Sequence, residues 1–162
     1  MIQRVQSIFL AMAAIAMGLM LFFPLWQKAS IETSEVATLD AFYLTYEVLD
    51  PITGSAQNIL KNTFYIALLG SLSAALSIYS IFQYKTRLRQ IQLGALNSLI
   101  IGITLGTLMY FVFKAETLLE PTQQGNYLFG FYLPLAALFC NFAANRFIRK
   151  DEKLVKSMNR IR

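Results

Sequence analysis

Four stretches of the chain carry no Asp, Glu, Lys or Arg: residues 5–27, 62–84, 90–113 and 121–145, which hold 23, 23, 24 and 25 residues. Each exceeds the roughly 20 apolar residues that a helix needs to cross a bilayer. The pattern predicts transmembrane helices over about 5–26, 62–84, 90–113 and 127–146, with outer loops at 27–61 and 114–126 and a tail at 147–162. Residues 1–162 then form a single integral membrane domain, an all-α membrane protein built as a four-helix antiparallel transmembrane bundle. In the longer outer loop Phe42, Leu44, Tyr46 and Val48 alternate with Tyr43, Thr45, Glu47 and Leu49, the period of a strand. The Asp-Pro-Ile-Thr-Gly run at 50–54 supplies turn chemistry after it. A short β-hairpin or folded loop between helices 1 and 2, lying over the outer ends of the helices, is expected.

Inside the apolar runs the smallest residues recur at helical spacing. Gly94, Ser98, Gly102 and Gly106 follow one another every four residues, and Gly70, Ser73, Ala74 and Ser77 fall at i, i+3, i+4 and i+7. Lipid tails are as apolar as leucine, so helices associate in a bilayer by close approach and interhelical hydrogen bonds, which small faces permit. Both stripes are therefore expected to pack helices, the first as an unbroken groove. Asn97 and Asn141 are carboxamides at depth, where an unsatisfied amide is costly. They read either as an interhelical contact or as a position for a polar ligand. Pro24 ends or kinks the first helix, and Trp26 marks an interface. The first apolar run is longer than a 7–15-residue signal-peptide core, so a retained helix is expected there.

Composition agrees with a membrane class: 56% of residues are hydrophobic, 14% are charged, and the mean hydropathy is +0.51. The formal net charge is +5, but its distribution says more than its sum. In the predicted layout eleven cations fall on one side and only Lys28, Lys61 and Lys114 on the other. That asymmetry puts both termini and the 85–89 turn in the cytoplasm. In the tail Leu154, Met158 and Ile161 share a helical face while Lys150, Lys153, Lys156 and Arg160 lie largely elsewhere, making a basic amphipathic helix. Together with Arg146 and Arg149, these cations are expected to meet anionic lipid headgroups or a protein partner. Nucleic acid is not expected.

Candidate chemistry is sparse. There is no histidine and one cysteine, Cys140, so His/Cys metal sites and Ser-His or Cys-His nucleophiles have no parts. Glu32 with Glu35, and Glu116 with Glu120, read as solvated pairs rather than carboxylate catalysts or calcium ligands. The four apolar runs hold no acid or base of the kind that marks proton relays. No catalytic residue, cofactor or metal is expected, and the chain does not read as an enzyme.

The segment Met1-Ile-Gln-Arg-Val-Gln-Ser, continuing to Met17-Gly-Leu-Met-Leu-Phe-Phe-Pro24, and the segment Ala144-Asn-Arg-Phe-Ile-Arg-Lys-Asp-Glu-Lys-Leu-Val-Lys156 with Arg160 and Arg162 resemble the two ends of a bacterial family known as domain of unknown function 4293. The resemblance covers essentially the full length. It implies a small four-span inner-membrane protein and carries over no catalytic or binding residues. Two classes of function are then expected. One is a non-enzymatic accessory or scaffold subunit, joined to other membrane proteins or to copies of itself. The other is a small oligomeric carrier or channel for a neutral or lipid-like substrate.

Overall fold

The computed structural model describes residues 2–30, 35–50, 54–84, 86–117 and 124–159. Helix α1 (Ile2–Leu19) leads into strands β1 (Trp26–Ser30), β2 (Glu35–Leu39), β3 (Tyr43–Asp50) and β4 (Gly54–Asn62). Helices α2 (Phe64–Phe82) and α3 (Arg87–Glu116) follow, then β5 (Asn126–Tyr127) and the long α4 (Phe129–Asn159). The expected number of helices is present. The expected bundle with a short hairpin is not, because the two outer loops join in one antiparallel sheet of five strands, ordered β4-β3-β2-β1-β5.

The sheet forms because a lone hairpin is marginal in water, whereas three or more strands with an apolar face are stable. Trp26 and Lys28 of β1, and Ala37 and Leu39 of β2, all turn inward. That inner face shares one core with Met17 and Met20 of α1 and with Leu108 and Phe111 of α3. Trp26 is fully buried rather than interfacial. Residues 51–53 of the expected turn lie outside the described residues, as do Glu32, Glu120 and Pro121.

The sheet also explains why α1 stops early. The chain turns after Leu19, with Leu21 and Phe22 donating to the carbonyls of Gly18 and Leu19. Pro24 has no N–H to offer a helix, and the Leu25 N–H goes to the Leu39 carbonyl at 2.9 Å, carrying the chain into β1. Among the described residues three helices, Phe64–Phe82, Arg87–Glu116 and Phe129–Ser157, are long and apolar enough to cross a membrane, whereas Val5–Leu19 is a shorter apolar helix. The expectation of four full spans is corrected accordingly. Helix α1 instead lies antiparallel along α4: Phe9 stacks on Phe147 at 5.6 Å, and Phe23 meets Phe129 edge-on at 5.4 Å. Its first turns therefore sit beside the basic half of α4. The helices neighbour one another around a ring in the order α1, α2, α3, α4.

Helix α3 meets its neighbours along Gln90, Gly94, Asn97, Ile101, Thr104, Leu108, Phe111 and Ala115, all buried and separated by alternating steps of four and three. An alternation of four and three keeps such a seam on one side of a helix. At the N-terminus of α2 the Asn62 side chain accepts the Phe64 N–H at 2.9 Å. Thr63 does not cap the helix but donates to the Asp40 carbonyl at 3.0 Å, tying it to the β2–β3 turn.

One ion pair fastens the sheet to the helices. Lys28, only 2% exposed, reaches the Glu116 carboxylate at 3.3 Å and the Glu116 carbonyl at 3.0 Å. The same carboxylate accepts the Gly125 N–H at 3.2 Å. Gly125 in turn has no room for a Cβ, because the Trp26 indole covers it. Glu116, expected on a solvated turn, is thus bonded at the top of α3. Substitution Glu116→Ala removes the carboxylate that Lys28 and the Gly125 N–H share and is expected to cost about 1–3 kcal/mol. Thermal unfolding in detergent, followed by the emission of Trp26, the only tryptophan, measures the loss. An unchanged midpoint would show that the clamp carries no stability.

Candidate functional site

At mid-height three helices exchange side-chain hydrogen bonds around Asn97. Helix α2 turns Gly70, Ser73, Ser77 and Ser80 inward, because its small residues recur at the spacing of one helical face. Ser73 donates to Asn97 Oδ1 at 2.8 Å, and Asn97 Nδ2 donates to Ser77 Oγ at 2.9 Å and to Asn141 Oδ1 at 3.3 Å. Asn141 Nδ2 then donates to the Gly94 carbonyl at 2.8 Å and to Ser98 Oγ at 2.7 Å. Ser98 closes the layer by donating to the Gly94 carbonyl at 3.0 Å. Both carboxamides are almost completely enclosed.

Every amide hydrogen for which these bonds show an acceptor is directed at a neighbouring helix or at Ser98, so the layer is a set of mutual contacts. None of its members titrates near neutral pH. Among the described residues no group of three or more His, Cys, Asp or Glu side chains could hold a metal ion. Cys140 is a free, partly buried thiol beside this layer. Thr104 and Thr107 each return their hydroxyl to the carbonyl four residues earlier, at 2.8 Å.

The predicted packing residues separate into two groups. Gly70 lies against the Met20 side chain, Ala74 packs on the core, and Ser77 joins the polar layer. Gly94 is covered by the Asn145 carboxamide, whose Cγ lies 2.6 Å from where a Cβ would stand. Gly102 and Gly106 face outward, and a Cβ at either position would meet nothing within 4 Å. The unbroken groove expected along 94, 98, 102 and 106 is therefore covered only at its first half. The reason is geometric: four residues turn a helix by about 400°, so each step overshoots by about 40° and three steps carry the line about 120° around the axis.

The tail cations Arg146, Arg149, Lys150, Lys153 and Lys156 lie exposed on α4, which runs through Pro134 and on to Asn159 without a break. Arg160 lies outside the described residues. Asp151 is held by Arg87 at the start of α3, 3.2 Å away, and Glu152 by Lys156 at 2.8 Å. Gln90, which carried no weight in the sequence reading, occupies the first seam position of α3 and donates to the Ser80 carbonyl at 3.1 Å. Its seam spacing to Gly94 and Asn97 was the signal that could have identified it.

Truncating Asn97 or Asn141 to alanine is expected to destabilise the protein, and the double variant to lose less than the sum of the two. The coupling should be about 0.6 kcal/mol and at most about 1.7 kcal/mol. A double-mutant cycle of unfolding in detergent measures it; strict additivity would mean that the 3.3 Å contact between the two amides contributes nothing. Gly94→Ala must displace Asn145 and should cost more than Gly102→Ala, which meets open space.

A family model described as Domain of unknown function (DUF4293) matches residues 2–161. No curated protein matches the chain.

Proposed function

The chain belongs to the domain of unknown function 4293 family, and from that premise we propose that it is a small multi-pass protein of the bacterial inner membrane, a non-enzymatic accessory subunit that packs against other membrane proteins. Three helices with the length and apolarity of spans support a membrane setting. The basic turns of α4 and the arginines that open α3, Arg87 and Arg89, lie on the cytoplasmic side in this reading, and the segment 27–61, with five acids against two cations, lies outside. The antiparallel course of α1 along α4 brings the start of α1 to the same end as the basic turns.

The observation that carries the reading is the bare face of α3. Gly102 and Gly106 point away from the other three helices with open space before them, and the exposed Leu99 and Ile103 border them. A second helix can approach such a face closely. The carrier or channel reading is weaker, because the carboxamides it would use, Asn97 and Asn141, are bonded to Ser73, Ser77, Ser98 and Gly94.

The test is a comparison of Gly102→Leu and Gly106→Leu with the unaltered chain, purified from native membranes in mild detergent. Both variants should keep their unfolding midpoint within about 0.5 kcal/mol, as expected for a surface change. Both should lose a stoichiometric foreign subunit that the unaltered chain retains. Retention of the same subunits by both variants removes the role given to this face, and a homo-oligomer with no foreign subunit points to self-association.

A further inference from the structure

We propose that the cleft between α3 and the basic turns of α4 binds one anionic phospholipid, its phosphate among Arg146, Arg149, Lys150 and Lys153 and its acyl chains on either side of Phe142. The proposal rests on the membrane reading above and adds a defined lipid site to it.

The four cations fall at i, i+3, i+4 and i+7 of one continuous helix, hence on one face. They line a cleft of about 620 Å³ whose inner wall is made by Ala95, Ser98 and Phe142. The two acids of the same region are already engaged: Asp151 by Arg87, and Glu152 by Lys156. None of the four cations has a hydrogen bond or ion pair within the described residues. Like charges one turn apart on a helix repel, so the cleft concentrates positive charge that the chain itself leaves uncompensated. A bound anion removes that repulsion.

The depth of the cleft selects the kind of anion. The Arg87–Asp151 pair marks the level at which α3 begins, and Lys150 and Lys153 flank it. Phe142 lies eleven residues before Lys153, about 16 Å further into the bundle at 1.5 Å per residue. Along that path the wall changes from four cations to Phe142 and Ala95. A second cleft of about 710 Å³ opens on the other side of Arg146 and shares Phe142 and Lys150 with the first. One headgroup on Arg146 and Lys150 can therefore send one chain down each side of Phe142. A free phosphate would fill the mouth and leave the apolar wall bare, and a zwitterionic lipid would bring no net charge to four cations.

The test uses the full chain in neutral detergent and native mass spectrometry with dioctanoyl phosphatidylglycerol, dioctanoyl phosphatidylcholine and inorganic phosphate as separate probes. One phosphatidylglycerol per chain should be retained in preference to phosphatidylcholine, and inorganic phosphate should not displace it. A cation near a membrane surface contributes about fivefold to anionic-lipid affinity, so Arg149→Gln with Lys153→Gln should weaken retention roughly 25-fold. Lys156→Gln, on a cation paired with Glu152 and outside the cleft, should change it less than twofold. Ala95→Phe, an exposed position, should fill the apolar wall and weaken lipid retention with all charges in place, its fold checked by Trp26 emission. Equal retention of phosphatidylcholine, displacement by phosphate, an equal loss in Lys156→Gln, or unaltered retention in Ala95→Phe each overturns the site while the membrane reading stands. Recovery of the folded chain from the water-soluble fraction overturns that reading and the site with it.

Discussion

A carboxamide in an apolar interior has no water to turn to, and Asn97 stands at the centre of the helices for that reason. Its hydrogen bonds go to Ser73 and Ser77 on α2 and to Asn141 on α4, so one side chain fixes the height of two neighbours against α3. Apolar packing would tolerate a shift of one helix along another more readily, because leucine and isoleucine contacts are not directional. The polar layer resists it, since sliding by one turn would leave both carboxamides unmatched where each is costly. The rest of the bundle is arranged around this fixed height. Gln90 with Ser80 secures one end of α2 and α3, and Arg87 with Asp151 secures the adjoining end of α4.

The outer sheet uses the opposite physics. Its inner face is apolar and continuous with the helix core, and among the described residues it is the buried Lys28 that brings a charge into it. The Glu116 carboxylate binds that charge and the Gly125 N–H together, so a single side chain joins β1, the last turn of α3 and the segment entering β5. Polar contacts thus fix the described residues both at the core of the helices and where the helices meet the sheet.

The helices were legible because charge-free runs are long and unambiguous, and the positions of α2 and α3 follow from them. What the pattern concealed was a competition over Leu25 and Trp26. By hydropathy they extend the first helix, but their backbone groups are taken by β2 and β5, which hydropathy does not register. Strands β1 and β2 were missed because five residues with two inward side chains are too short a pattern to read. The glycine stripe of α3 misled for a related reason: a spacing of four is conspicuous in writing, but it is the alternation of four and three, with Gln90 and Thr104 among its members, that stays on one side of a helix. The two asparagines were recognisable as carboxamides needing partners; their meeting, 44 positions apart, depends on how α3 and α4 lie together.

The connection between Lys28 and Glu116 spans 88 positions, and this has a bearing on biogenesis. Strands β1 to β4 leave the ribosome in succession and can zip together as neighbouring hairpins, each contact local in sequence. The Glu116 carboxylate does not yet exist at that stage, nor does the short strand that borders β1. The contact between Lys28 and Glu116 can close only once α2 and α3 have been made. Closure of that contact is thus a late, non-local event of the slow kind, and β1 waits for the chain to return to it.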